Sequence, residues 1–409
     1  MRRVVITGLG VFASSGKDAE SFFQNLVQGR SAVRHITQFD ASSLSVQIAA
    51  EVPDYEPCAY FPVKRLDLLD RFSQFGLLAA AEAMKSSGLE LRDEERPRFG
   101  VVTGSGMGGA TTFDTGYFNL YANKATRLHP FTIPKIMHNA ATSQICMEFG
   151  AQGPSLTTAT ACSSSGHAIG EAFHLIKFGM ADMMLAGGSE APITYGMIRS
   201  WESVRVLAIG NGDPSRACRP FSADREGLVM GEGAGMILLE ELEHAKQRGA
   251  RIYGEIAGFG MSSDANHITQ PSVQGPARAI RMALEEAAVD PNEVDYINAH
   301  GTGTRLNDVT ETQVIKEVFK EHARELAISS TKSMHGHTMG ATGAIELIAT
   351  VQATERGVVP PTANYTTPDP ECDLDYVPNQ SREKKIRVAL SNSFAFGGLN
   401  AVLLVRRFE

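Results

Sequence analysis

Apolar positions along this chain fall into two kinds of run, and the two alternate. Short dense runs bounded by glycine read as buried strands: residues 4–6, residues 99–103 entering a glycine-rich bend, residues 181–191 ending in a Gly-Gly turn, and the stretch up to Glu240 after a glycine-dense approach. Between them, residues 17–23, 72–87, part of 130–149 and 241–248 space their apolar positions as helices do. Strand–helix alternation over 409 residues predicts an α/β protein with more than one core-bearing unit. A new start at Arg251-Ile252-Tyr253 divides the chain into halves of residues 1–250 and 251–409. An offset of 170 lays Gly166-His167 on Gly336-His337 and Gly170 on Gly340, an echo that suggests duplication.

Residues 155–176 hold the centre of this pattern. Small and β-branched residues lead into Cys162, and Ser163-Ser164-Ser165-Gly166 opens a helical stretch. A buried strand breaking into a helix there would place Cys162 at a helix N-terminus, where free N–H groups and the macrodipole favour a thiolate nucleophile of lowered pKa. A buried structural cysteine is the competing reading.

Composition narrows the classes. The net charge of −8 argues against a nucleic-acid binder. The five cysteines are dispersed and lack CxxC spacing, which implies reduced thiols in a cytoplasmic protein and neither a disulfide framework nor a zinc site. No apolar run nears the roughly 20 residues that span a bilayer. The opening MRRVVITGLGVFASS mimics a signal peptide, yet Gly8 and Gly10 suit a first β-strand better. The same glycines match a dinucleotide fingerprint in letters only, since the helix signal starts later, at Lys17.

Three further segments supply partners for Cys162. YINAHGTGTRLND delivers His300 into a Gly/Thr loop; SSTKSMHGHTMGATGAIE carries Lys332, His335, His337 and Glu346; SNSFAFGGLN is a small-residue loop with two phenylalanines. Nucleophile and base meet in space, so a separation of about 140 residues is no obstacle. His167 and His335 read as packing residues.

Together TACSSSGH and these three segments resemble the signatures of β-ketoacyl-acyl-carrier-protein synthases, above all the elongating type II enzymes, and the resemblance runs the length of the chain. It implies a thiolase-like fold, five layers αβαβα built from two similar halves, as a homodimer or a heterodimer. It implies that Cys162 accepts an acyl chain from the phosphopantetheine of an acyl carrier protein. His300 and His337 then assist decarboxylation of malonyl-carrier, with Lys332 positioning them and Glu346 supporting Lys332. The N–H groups of Cys162 and Phe396 would form an oxyanion hole, with Gly397 and Gly398 in the gating loop. Thr302 and Thr304 match pantetheine-binding threonines, and Met107 and Trp201 match acyl-pocket positions. Lys64, Arg65, Lys124, Arg127 and Arg205 are candidates for steering the acidic carrier. The chemistry requires no metal or redox cofactor.

The chain also departs from the family pattern. Ala395 and Leu399 alter the gating loop, Asp67 and Leu68 replace a basic pair, and Thr132 stands where an aromatic residue is expected. A β-carbon at 395 is expected to restrict the loop. These changes suggest a specialised acyl substrate. A degradative thiolase would need a second cysteine in the last loop, and an initiating synthase an Asn in place of His337. A chain-length-setting subunit without activity would lack Cys162.

Overall fold

The computed structural model describes every residue except Asn211. Among the described residues ten strands form one sheet: β1 (Val4–Ala13), β2 (Phe99–Gly104), β3 (Ser155–Thr158), β4 (Met183–Glu190) and β5 (Gly233–Glu241), then β6 (Gly254–Ser263), β7 (Tyr296–Asn298), β8 (Ala327–Ser329), β9 (Val388–Phe394) and β10 (Leu399–Arg406). Their order is β8-β7-β9-β10-β6-β1-β5-β4-β2-β3. Adding five to a strand number in one half gives its counterpart in the other, so the sheet is two copies of one topology. They join antiparallel at β1 and β6, through Val4–Ile6 against Gly254–Ile256.

The helices take their places in the layers from their apolar faces. Helices α1 (Arg71–Ser87) and α4 (Gln274–Ala287) cover the outer faces against β1 and β6; α5 (Arg305–Phe319) lies beside α4. Helices α3 (Ser164–Lys177) and α7 (Thr342–Arg356) touch strands of both halves and each other, which makes them the central layer. Thirteen successive residues of α7, Thr342 to Thr354, are buried, as a helix between two sheet faces requires. The remaining elements used below are α2 (Ala110–Tyr121) and the single-turn helix α6 (Lys332–His335). The layering is αβαβα, as the resemblance implies. No helix among the described residues is long and apolar enough to cross a membrane.

The N-terminal glycines have a structural reason. A β-carbon at Gly8 or Gly10 would collide with the carbonyl oxygens of Ala83 and Ala79 on α1; one at Gly258 or Gly260 would collide with those of Ala283 and Ala279 on α4. The glycines let strand and helix backbones meet, twice over. They belong to a strand and cradle no phosphate.

Three local readings change. β3 is an edge strand, with Ser155 and Leu156 exposed, so the run before Cys162 is not a buried strand. Gly187 and Gly188 lie within β4, where they pair with Met236 and Gly235 on β5; they form no turn. The internal echo is offset by 178. Left-handed Ala161 (φ +50°) opens the 3₁₀ turn into α3, and left-handed Met339 (φ +46°) opens the turn into α7. Cys162 therefore corresponds to Gly340 and not to Lys332.

Candidate active site

Cys162 sits in that 3₁₀ turn, two residues before α3, and is 8 % exposed. Its turn is pinned to the second half by Ser163, whose hydroxyl contacts the carbonyls of Ser393 (2.9 Å) and Leu399 (2.8 Å). β7 ends at Asn298 and delivers His300 into the next loop; α6 carries Lys332, and His337 follows it. The Cys162 sulfur lies 3.1 Å from His337 Nε2, and the rings of His300 and His337 stand edge to face with centroids 5.5 Å apart.

The polar partners assign the tautomers. The Met339 N–H donates to His337 Nδ1 at 3.2 Å, so this nitrogen is an acceptor and the ring hydrogen is on Nε2. Lys332 Nζ stands 3.4 Å from His300 Nδ1, which places that ring's hydrogen on Nε2 as well. Lys332 has two stronger acceptors, the His300 carbonyl and Glu346 Oε1, both at 2.5 Å, so its three N–H bonds are all used. The ammonium and the Glu346 carboxylate are fully buried together. Burial, reinforced by the Lys332 charge, holds both catalytic-site imidazoles well below their usual range, and they are neutral. Cys162, His300 and His337 bring their polar atoms within 4.8 Å of one another, close enough for a metal. With hydrogen on both Nε2 atoms, the trio presents a thiol and two N–H donors, which suits a developing oxyanion better than a cation.

The thiol departs from the expectation of a lowered pKa. Burial pushes Cys162 up to about 11, while Lys332 and the N–H groups of Phe396 and Cys162 pull the other way. The turn precedes the helix proper and its thiol is buried, so desolvation outweighs the helix terminus. Those two N–H groups converge at the sulfur, where the expected oxyanion hole would be.

A cavity of about 470 Å³ opens over this set. Cys162, His300, His337, Trp201, Thr302, Thr304, Phe396, Gly397 and Gly398 line it. Trp201 stacks on Phe396, centroids 5.9 Å apart. The hydroxyls of Thr302 and Thr304 pair at 2.9 Å near its mouth. Met107 is not in the lining of this cavity; it lies on the glycine bend, where Glu190 accepts its N–H at 3.1 Å. Ala395 does not strain the gating loop, because the left-handed residues are Gly397 (φ +84°) and Gly398 (φ +71°). Ala395 packs in the same cluster as Cys162. His167 donates to or accepts from Thr160 and packs on Phe259, and His335 lies buried against Phe22; neither reaches the sulfur.

Residue types alone left out the carboxylates that aim the site. Glu311 accepts the N–H groups of His300 (2.8 Å) and Gly301 (2.7 Å), and Asn392 donates to it as well. Asp308 accepts from Phe221 and Gly303 and faces the Arg225 guanidinium at 3.3 Å. Their signal was present: Asp308 and Glu311 share the face of α5 that carries Ile315, where an acidic residue has to be explained. Glu190 likewise continues an apolar strand into a charge.

Similarity to known proteins agrees with this geometry. Residues 1–245 match the family described as beta-ketoacyl synthase, N-terminal domain, and residues 253–366 match its C-terminal domain. Nodulation protein E of Rhizobium sp. (strain N33) is 48 % identical over 99 % of both chains. The 3-oxoacyl-[acyl-carrier-protein] synthase 2 of Staphylococcus aureus (strain N315) is 43 % identical over 100 % of this chain and 99 % of that one. Among solved structures, the ishigamide ketosynthase/chain length factor superposes with a TM-score of 0.93 at 36 % identity, covering both chains fully. The complex AntDE:AntF, a type II PKS acyl-carrier protein with its ketosynthase, gives 0.92 at 35 %, again over both full chains. A buried cysteine facing two neutral imidazoles, on a duplicated αβαβα frame and with this similarity along its length, places the chain in the β-ketoacyl synthase family.

Proposed function

We propose that the protein is an elongating 3-oxoacyl-carrier synthase working in two half-reactions. The observation that carries this is the approach of Cys162 Sγ to His337 Nε2 at 3.1 Å with His300 beside it, both rings neutral. In the first, the Cys162 sulfur attacks the carbonyl carbon of a carrier-bound thioester. The oxyanion collects on the N–H groups of Cys162 and Phe396. Collapse breaks the bond to the pantetheine sulfur, which leaves with the proton from Cys162. The His337 Nε2–H donates to the sulfur as charge develops on it, offsetting the cost of a buried thiolate.

In the second half-reaction malonyl-carrier loses CO2. The electron pair of the broken C–C bond passes to the thioester oxygen as an enolate, held by the Nε2–H groups of His300 and His337. The enolate carbon attacks the Cys162 thioester, and collapse releases 3-oxoacyl-carrier and the cysteine sulfur, which takes a proton from solvent. Neither half-reaction needs an external oxidant or reductant or calls for a metal, in keeping with the donor character of the trio. Glu346 holds Lys332, and Glu311 holds the His300 loop, so the donors are fixed before substrate arrives.

The partners belong to the same reading. Thr302 and Thr304 line the path a pantetheine arm would take, and Arg205 stands at the mouth of that cavity. A carrier protein approaching there would meet Arg205 first; Arg65 is occupied by Glu148, and Lys124 by the Tyr121 carbonyl. A second copy of this chain fits the open edge of β3 together with the apolar side of α2, where Phe118 and Tyr121 are 62 % and 70 % exposed. All five cysteines are free, which suits a cytoplasmic setting. Specialisation for a particular chain is read from the departures at Thr132 and Leu399.

Intact-mass spectrometry with a panel of acyl-carrier thioesters tests the reading. Adducts on the wild type and none on Cys162→Ala are expected, and their pattern reports the chain accepted. No adduct from any donor would remove the nucleophile from the scheme and favour a chain-length-setting subunit. Light scattering on the pure protein distinguishes a homodimer from a monomer awaiting another subunit.

A further inference from the structure

The turn that presents Cys162 has a counterpart that presents Gly340, and that counterpart is occupied by a carboxylate. Glu190, the last residue of β4, is fully buried. Its Oε2 accepts the N–H groups of Gly106 (2.6 Å) and Gly340 (2.9 Å), and its Oε1 accepts the Met107 N–H (3.1 Å) and the Ser105 hydroxyl (3.0 Å). Ser105 Oγ already accepts the Gly108 N–H, so its own hydrogen is the one given to Glu190. All four partners are donors, and no ammonium or guanidinium pairs with this carboxylate among the described residues. In the first half the corresponding N–H, that of Cys162, joins the Phe396 N–H at the sulfur. In the second half the Gly340 N–H joins those of the glycine bend on Glu190. No side chain fits at 340, because its β-carbon would stand 2.5 Å from Glu190 Oε2 and against the Gly106 backbone.

The brace acts on the residue that matters most for the tautomer of His337. Gly340 follows Met339, whose left-handed backbone aims its N–H at His337 Nδ1. A β-carbon in that conformation is strained, so it persists only where neighbouring contacts hold it. Glu190 supplies such a contact on the very next N–H. We infer that Glu190 is a positioning residue for the condensation, a buried acceptor of four donors in the second half's counterpart of the oxyanion hole that locks the Met339–Gly340 turn and so keeps hydrogen on His337 Nε2. The inference rests on the condensing reading above.

Glu190→Gln and Ser105→Ala in the full chain test it beside the wild type. Three quantities are measured: acylation of Cys162 by intact mass, CO2 release from malonyl-carrier, and the ¹H–¹⁵N signature of the histidine ring nitrogens. The amide of Glu190→Gln points hydrogens at N–H donors, so CO2 release should fall on the order of 30-fold while acylation stays within about threefold. His337 should then show hydrogen shared between Nδ1 and Nε2. Ser105→Ala removes one donor of four and should lower CO2 release about threefold, leave acylation unchanged and move the His337 ring signature in the same sense as the glutamine variant, which keeps the test intact where the glutamine variant does not fold. Equal loss of both half-reactions with an unchanged ring signature would overturn the positioning role, as would unchanged CO2 release. A wild type that neither takes up acyl groups nor releases CO2 would instead remove the condensing reading on which this one stands.

Discussion

At the entry to α3 the backbone passes through left-handed Ala161 and presents Cys162. At the entry to α7 it passes through left-handed Met339 and presents Gly340. The frame around the two turns is the same: five strands in the same order, a glycine-bearing first strand pressed on an outer helix, and a buried helix behind the turn. The chemistry differs. The first half holds Cys162 with room above it; at the second half's turn the equivalent space is filled by Glu190, which reaches over from the first half, while the second half sends His300, Lys332 and His337 across to Cys162. Duplication supplied two geometries able to hold a negative charge on backbone N–H groups. In the proposed reaction one receives substrate charge; the other holds the Glu190 carboxyl, which burial pushes up to about 7 against the pull of its four donors.

The largest expected effect comes from removing the nucleophile. Cys162→Ala should abolish acyl adducts and slow condensation by at least about a thousandfold, yet it should still release CO2 from malonyl-carrier, since His300 and His337 remain. Loss of both activities would mean the two halves do not divide the work as described.

Lys332→Met attacks the second half's own support. It leaves the Glu346 carboxylate buried without its cation, at about 3–5 kcal/mol, visible as a lower denaturant midpoint. Adding Glu346→Leu should restore most of that stability and none of the activity. Gly340→Cys asks whether the second turn can be given the residue of the first. A side chain there collides with the Glu190 brace, so about 3 kcal/mol of stability should be lost and no second acyl adduct gained.

The pH dependence of alkylation tests the electrostatics of the nucleophile turn. With the thiol raised to about 11, its reactive thiolate is scarce at neutrality, so the iodoacetamide rate should climb about tenfold per unit from pH 7 to 10. A plateau near neutrality would show that the helix terminus and Lys332 outweigh burial. The smallest effect is expected at the mouth: Thr302→Val with Thr304→Val should raise KM for the carrier substrate about threefold to tenfold and leave kcat unchanged.

Much of this was legible in residue order because the determinants are local. A run of small residues around Cys162, an Asn-Ala-His at a strand end and a Gly-Gly loop each state their own conformation. Strand–helix alternation and the four motifs therefore determined the fold class, the nucleophile and its partners. Three-dimensional packing decided the rest. The echo read at 170 lies at 178, because the duplicated turn has only backbone conformation in common, φ at Ala161 and Met339, and backbone conformation is not spelled in letters. Met107 lies outside the cavity lining, on the bend whose N–H groups Glu190 accepts. Glu190, Asp308 and Glu311 did not read as site residues from type alone, since an acidic residue is usually solvated. They became parts of the site only when folding enclosed them and gave each a set of N–H donors. The thiol's rise to about 11 has the same origin: spacing can place Cys162 near a helix N-terminus, but only the packed structure determines how much water reaches it, and desolvation sets the sign.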